Sequence, residues 1–474
     1  MKSFRQTIVR HKKGVAVAAA FLLAYGFFQF TYPYHLIRRE QMALFLFDWD
    51  YIIQTYHGTG WMSRFVSDFL EQFFLLPAAG PFTISLLLTV IALVVYRICN
   101  RHLNQTASLS VAILSYVWCF LRETGNLYTT RYTLAVAGYL FIILAITNIK
   151  NKKIKPIISV LLIVSGIWAF GSPVHKHYGR LISIPRFNYE RLIGLDTEVA
   201  RERWDKVLKL SEKDLYMTEA SYCYNLAQAM KGNLGESLLN HSQNGASTLL
   251  LRVSTDRSVF SNTLAGEAWF QLGCMTIAEQ SAIISLQASP NHTGARYIKR
   301  LARVNLISGE YSTAQKYLNL LTKTLFYRKW AQNVMPGHQS EYTRMQFMQA
   351  SMHMAKNDFV HHSNETRAIL LEQIRSNPQN TMARHYLLCH DLLSYDLEQF
   401  IEDYSGYMLK GHIYQEAILI WLSQHNRLSE QNAARFGVDN ATANMMQRFF
   451  RNPDNYPHTY WYYYMKALEE EDNQ

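Results

Sequence analysis

Cysteine, glycine and proline are all scarce in this chain: 474 residues hold 5 Cys, 22 Gly and 11 Pro. Too few cysteines exclude a disulfide-framed secreted module. Few glycines and prolines argue against collagen-like, linker-like and turn-rich all-β classes. Charged residues make up only 18%, below the roughly 25% usual for soluble globular chains. Also missing are the phosphate-cradling, dinucleotide, nucleophile-elbow and H-E-x-x-H patterns, so no standard catalytic signature is present. Length leaves room for two or three domains.

What the chain does have is unevenly distributed. Residues 1–171 carry 16 Lys and Arg against six acids (Glu40, Asp48, Asp50, Asp68, Glu71, Glu123), a net of +10 out of a total of +11. The remaining 303 residues are nearly neutral. A nucleic-acid binder would want its basic surplus on the soluble part, so that class is set aside.

Apolar runs in the same first third supply another reason for the charge. Residues 14–30, 80–98, 108–121, 132–149 and 156–170 are candidate membrane spans. A basic tail, residues 1–13, precedes the first. A secretory signal begins the same way, but no small-x-small cleavage site follows, and an uncleaved anchor is expected. The third run is short and is alternatively a re-entrant piece. Counting Lys and Arg in the loops favours five spans, with eleven on the inner side and five on the outer. The expected topology is an inner-membrane bundle over 14–171, with the amino terminus cytoplasmic and residues 172–474 extracytoplasmic, in the periplasm.

The outer loop, 34–79, mixes charge and apolar residues at helical spacing on both sides of Gly58-Thr59-Gly60. Two interfacial amphipathic helices are expected there. The plain reading makes Arg38, Arg39, Glu40, Asp48 and Asp50 their solvated face, and it is the one adopted. The functional reading makes Arg39, Glu40 and Asp50 a polar cluster at the membrane surface, where charge often marks a site.

Beyond 172 the periodicity is helical and strand signals are nearly absent. Gly232-Asn233-Leu234, Gly309-Glu310-Tyr311, Asn357-Asp358-Phe359 and Tyr395-Asp396-Leu397 punctuate helix pairs at uneven intervals. Trp269-Phe270-Gln271-Leu272-Gly273 and the unit at 297–324 resemble the tetratricopeptide repeat. An all-α chain is expected, a transmembrane bundle followed by an irregular tetratricopeptide-like α-solenoid; an ordinary helical bundle is the alternative. His353, His361, His362, His385 and His390 lack zinc-ligand spacing, so no metal and no cofactor are expected. Cys223, Cys274 and Cys389 read as buried free thiols. Tyr460-Trp461-Tyr462-Tyr463-Tyr464 reads as an end cap of the core.

The strings Arg38-Arg39-Glu40-Gln41, Asp50-Tyr51, Gly58/Gly60, Phe69-Leu70-Glu71-Gln72-Phe73-Phe74 and Tyr224-Asn225-Leu226-Ala227 resemble an uncharacterised family of bacterial multi-spanning membrane proteins with a helical-repeat extension. The resemblance implies architecture and bacterial origin and carries no activity. The expected function is to anchor a protein-interaction domain at the outer face of the inner membrane, with membrane lipids and an envelope protein as partners; whether the chain also catalyses a reaction is left open, with the balance toward none. The alternative is a membrane enzyme or transporter acting on a lipid-linked or envelope glycan substrate.

Overall fold

The computed structural model describes residues 2–58, 60–125, 130–148, 184–289, 292–337, 339–356 and 364–472. These residues are about 74% helix and contain no strand. The chain divides into two compact units, one formed by Met1–Ile193 with Leu320–Arg328, the other by Gly194–Asn319 with Lys329–Gln474.

In the first unit α1 (Lys2–Gly26) runs into a wider π turn, Phe27–Thr31, that closes with Tyr32 N–H on the Phe27 carbonyl at 2.9 Å. Three short helices follow: α2 (Tyr34–Met42), α3 (Trp49–Thr55) and α4 (Trp61–Glu71), the last extended by a 3-10 turn to Leu75. Then come three long ones, α5 (Ala79–Cys99), α6 (Gln105–Glu123) and α7 (Thr130–Thr147). The central helix is α5, packed against α1, α6 and α7. Close approach rests on small residues: a Cβ at Gly80 would lie 3.2 Å from the Phe74 ring and 3.3 Å from Leu36. Phe28, Tyr32, Leu36, Phe74, Ile84, Leu88 and Ile91 fill the core, with Ala24, Ala112 and Ala137 where helices meet.

Among the described residues, three helical stretches are long and apolar enough to cross a membrane: Gly14–Thr31, Ala79–Cys99 and Thr130–Thr147. The short third run lies within a 19-residue helix, α6, which is less apolar and is not among the three. The fifth expected span, 156–170, lies outside the described residues. The outer segment holds three helices where two were expected. Extended backbone at Ala43 ends α2, and Asp48, with its side chain accepting from Tyr51 N–H at 3.1 Å, starts α3 anew.

The second unit takes up the last part of α8 (Phe187–Ala200) and continues with α9 (Trp204–Ser211), α10 (Thr218–Met230) and the one-turn α11 (Leu234–Ser237). After a loop come α12 (Val259–Gln271), α13 (Met275–Ala288), α14 (Ala295–Ile307), α15 (Tyr311–Thr322), α16 (Arg328–Val334) and α17 (Glu341–Ser351). The last group is α18 (Thr366–Ser376), α19 (Thr381–Leu393), α20 (Leu397–Tyr407), α21 (His412–Gln424), α22 (Glu430–Arg435), α23 (Asn440–Phe449) and α24 (Tyr460–Asp472). Helices adjacent in sequence pack together in runs, α12 on α13 on α14 and α18 on α19 on α20. Yet α11 also packs on α19 and α21, a return that a strictly linear stack does not make. Gly235 and Gly411 permit it, since a Cβ at either would meet the Tyr414 ring at 2.8 Å.

Cys223, Cys274 and Cys389 are buried free thiols. Tyr460 and Trp461 are buried, Trp461 donating to the Glu416 carbonyl at 2.9 Å, so the aromatic run docks α24 onto α21. The Asn357 turn, His361 and His362 lie outside the described residues. His353, His385 and His390 are spoken for separately, by the Gln271 carbonyl, the Tyr414 hydroxyl and Asp391 respectively.

Candidate functional site

The charged residues of the outer segment sit at one end of the first unit's bundle, and most are not on a wet face. Arg39, on α2, reaches the C-terminal end of α6. Its Nη1 donates to Glu123 Oε2 at 2.6 Å and to Thr130 Oγ1 at 3.3 Å, while Nη2 donates to the Glu123 carbonyl at 2.8 Å. Glu123 is wholly buried and takes a third bond from Thr133 Oγ1 at 2.5 Å. A carboxylate so enclosed is tolerable only with its charge met and its lone pairs filled. Glu71, at the end of α4, is also buried. It accepts from Ser67 Oγ at 3.1 Å and from the Thr130 N–H at 3.2 Å, where the positive end of the α7 dipole favours an anion.

Glu40 follows Arg39 but faces elsewhere. It is 3% exposed and accepts from the Tyr327 hydroxyl at 2.7 Å. Asp48 pairs with Lys323 Nζ at 2.5 Å, and the Phe47 N–H donates to the Lys323 carbonyl at 2.8 Å. That lysine and the Tyr51 N–H hold the Asp48 carboxyl below its ordinary range. Asp50 stands in the first turn of α3, exposed. The three candidates therefore separate: Arg39 is built into the bundle end, Glu40 is buried against Tyr327, and Asp50 is in solvent. The solvated-face reading is corrected for Arg39 and Glu40. Their side chains turn inward because α6 offers Arg39 a carboxylate, α7 offers it a hydroxyl, and the 320–328 segment offers Glu40 the Tyr327 hydroxyl.

Two further groups complete the neighbourhood. Glu190 accepts from the N–H groups of Tyr34 and His35 at 2.5 and 3.2 Å, occupying the N-terminus of α2, and lies 3.5 Å from His35 Nδ1. Burial holds His35 below the ordinary histidine value. Asp68 accepts from Tyr56 at 3.0 Å, and burial, aided by the Glu71 carboxylate, pushes it up to about 7.

His35, Asp68, Glu71, Glu123, Glu190 and Tyr327 were not picked out from the sequence as site residues. A signal existed for three of them, because any acid among so few in an apolar third needs a partner. Glu190 and Tyr327 carry no local signal. Chemically, the arrangement joins elements: Glu40, Glu71 and Glu123 each receive at least one donor from outside their own helix. No group of three or more His, Cys, Asp or Glu placed to hold a metal occurs among the described residues.

No curated protein and no solved structure matches the chain significantly. Its sequence does match one family, a family of unknown function (DUF6057), over residues 9–182 and 173–467. That is nearly the whole length, and the chain belongs to this uncharacterised family.

Proposed function

We propose that this is an integral membrane protein whose first unit sits in a bacterial inner membrane and carries the helical remainder at the outer face as a docking surface for an envelope protein. The observation that supports it is the inverted burial of the first unit. Glu71, Glu123, Arg39 and Glu40 are inside, while Leu23, Leu114 and Ile142 are 76%, 68% and 51% exposed on helices of 18 to 25 residues. In water such a surface would be an aggregation liability. In hydrocarbon it is the favourable arrangement, since ionisable groups in membrane proteins face the bundle interior and pair there. The basic residues flanking the apolar runs favour a cytoplasmic amino terminus.

Docking by the remainder rests on its helix pairs and on α17, where Tyr342, Met345 and Met348, with Met352 just past its end, form an exposed stripe. Methionine-rich faces adapt to partner surfaces.

The test uses the full chain carrying, after Gln474, either a phosphatase active only outside the cytoplasm or a fluorescent protein that matures only inside it. Membranes are then washed with alkaline carbonate. Retention in the membrane, phosphatase activity and a dark fluorescent fusion are expected. Release by carbonate overturns the membrane reading; a bright fluorescent fusion overturns the outward orientation.

A further inference from the structure

The first unit has an open groove of about 650 Å³ between α1 and the junction of α4 with α5. Phe21, Leu22 and Tyr25 form one wall, Phe69 and Phe73 the other, and Phe82 closes the α5 side. The floor is the Leu76–Ala79 turn, where Leu76 is extended and Ala78 holds a left-handed φ of 68°. That conformation is disfavoured for a non-glycine residue, so the turn that keeps these walls apart is held against a local preference.

We infer that this groove binds one acyl chain of a bilayer lipid. The inference rests on the membrane reading above and makes it specific. Its lining carries no charged side chain, and the only side-chain hydroxyls are those of Tyr25 and Thr83. A polar solute would give up its hydration there with almost nothing in return, whereas a hydrocarbon loses nothing. Two of the three walls belong to helical stretches long and apolar enough to span a bilayer. The rim residues Leu22, Leu76 and Phe82 are 62%, 42% and 51% exposed, so the groove is continuous with the apolar exterior of α1 and α5 and opens sideways into lipid. The volume falls within the roughly 300–1,000 Å³ of sites that hold one small ligand. The remaining wall, α4, has the strongly one-sided apolar face of a helix lying at the interface, with Phe65, Phe69 and Phe73 along it. An acyl chain entering beside it keeps its headgroup at the level of that helix.

The experiment places the full chain in vesicles of phosphatidylethanolamine and phosphatidylglycerol doped with a phospholipid bearing a mid-chain diazirine, and maps the labelled residues after illumination. Labelling within 21–25 and 69–83 is expected to exceed, several-fold, that of the exposed positions Leu114 on α6 and Ile142 on α7. Leu76→Trp and Leu22→Trp, each at an exposed rim position and so compatible with folding, should cut the groove labelling several-fold and leave Ile142 labelling unchanged. Equal labelling at all these positions, or groove labelling indifferent to both tryptophans, overturns the acyl-chain site while the membrane reading stands. Absence of label everywhere overturns the membrane reading itself. A crosslink from the groove to residues 156–170 overturns the lipid assignment in favour of a segment of this chain as the occupant.

Discussion

A guanidinium withdrawn from water has to find acceptors for its charge and its donors together, and Arg39 does so across three helices. Removing it leaves the enclosed Glu123 carboxyl with Thr133 as its remaining side-chain donor among the described residues. Breaking such a buried pair from one side costs about 3–5 kcal/mol. Thermal unfolding of the detergent-solubilised full chain should therefore show Arg39→Ala melting well below the parent. Arg39→Lys should recover little, because a lysine cannot span the Glu123 carboxylate, its carbonyl and Thr130 at once. The double variant Arg39→Met with Glu123→Leu should recover most of the loss, since no charge is then stranded. An Arg39→Ala protein that melts with the parent would show that the pair holds nothing together. Legibility at this scale is partial. The sequence reading puts Arg39 and Glu40 on a solvated face, and both side chains prove to be buried. Their partners lie 84 and 287 positions away, and spacing along the chain says nothing about contacts at such distance.

Elements were easier to read than sites, because hydrophobic runs and turn residues are local. The second expected span, 80–98, corresponds to α5, Ala79–Cys99, and the fourth, 132–149, to α7, Thr130–Thr147. The 108–121 run reads short because α6 owes its remaining length to polar ends, capped by Asn104 at one and closed by the buried Arg122 and Glu123 at the other. The Asp48 cap that splits the outer segment was missed because the aspartate was counted as surface charge.

Among the turns of the second unit, two glycines permit a controlled comparison. Gly273 ends α12 with φ of 84°, and a Cβ there would come within 2.1 Å of the His353 carbonyl. Gly309 ends α14 with φ of 81°, and nothing lies within 4 Å. Gly309→Ala should cost about 1–2 kcal/mol, the left-handed penalty alone. Gly273→Ala should cost distinctly more, because backbone has to move as well. Urea unfolding of the full chain measures both, and equal losses would mean that the 273–353 contact is not rigid.

At the scale of the molecule the two units differ in how they place charge. The first hides ionisable side chains within an apolar shell. The second keeps a conventional apolar interior threaded by ion-pair networks: Arg296 bridges Asp196 and Glu267, Arg300 also meets Glu267, Arg303 meets Glu202, and separately Arg367 bridges Asp391 and Asp403. Charge bias and apolar runs divide the sequence near residue 171, whereas the compact units part at Ile193, and Leu320–Arg328, far along the chain, belongs to the first. Lys323 pairs with Asp48, Phe326 sits edge-on to Phe73, and Tyr327 donates to Glu40. A chain cut after Ile193 should accordingly be digested within residues 34–76, once solubilised, by protease at concentrations that spare the full-length protein. Equal resistance would mean that the nine-residue segment contributes no protection.

That discontinuity imposes an order on biosynthesis. Glu40 leaves the ribosome 287 residues before Tyr327, a delay of roughly 15–60 s at ordinary rates of elongation. Throughout that interval the bundle end waits with the Glu40 carboxyl and the Phe73 ring uncovered by their partners, and it closes only when a stretch encoded far downstream arrives. A nascent chain of this kind has a built-in window of vulnerability, during which chaperones or quality-control proteases meet it unfinished.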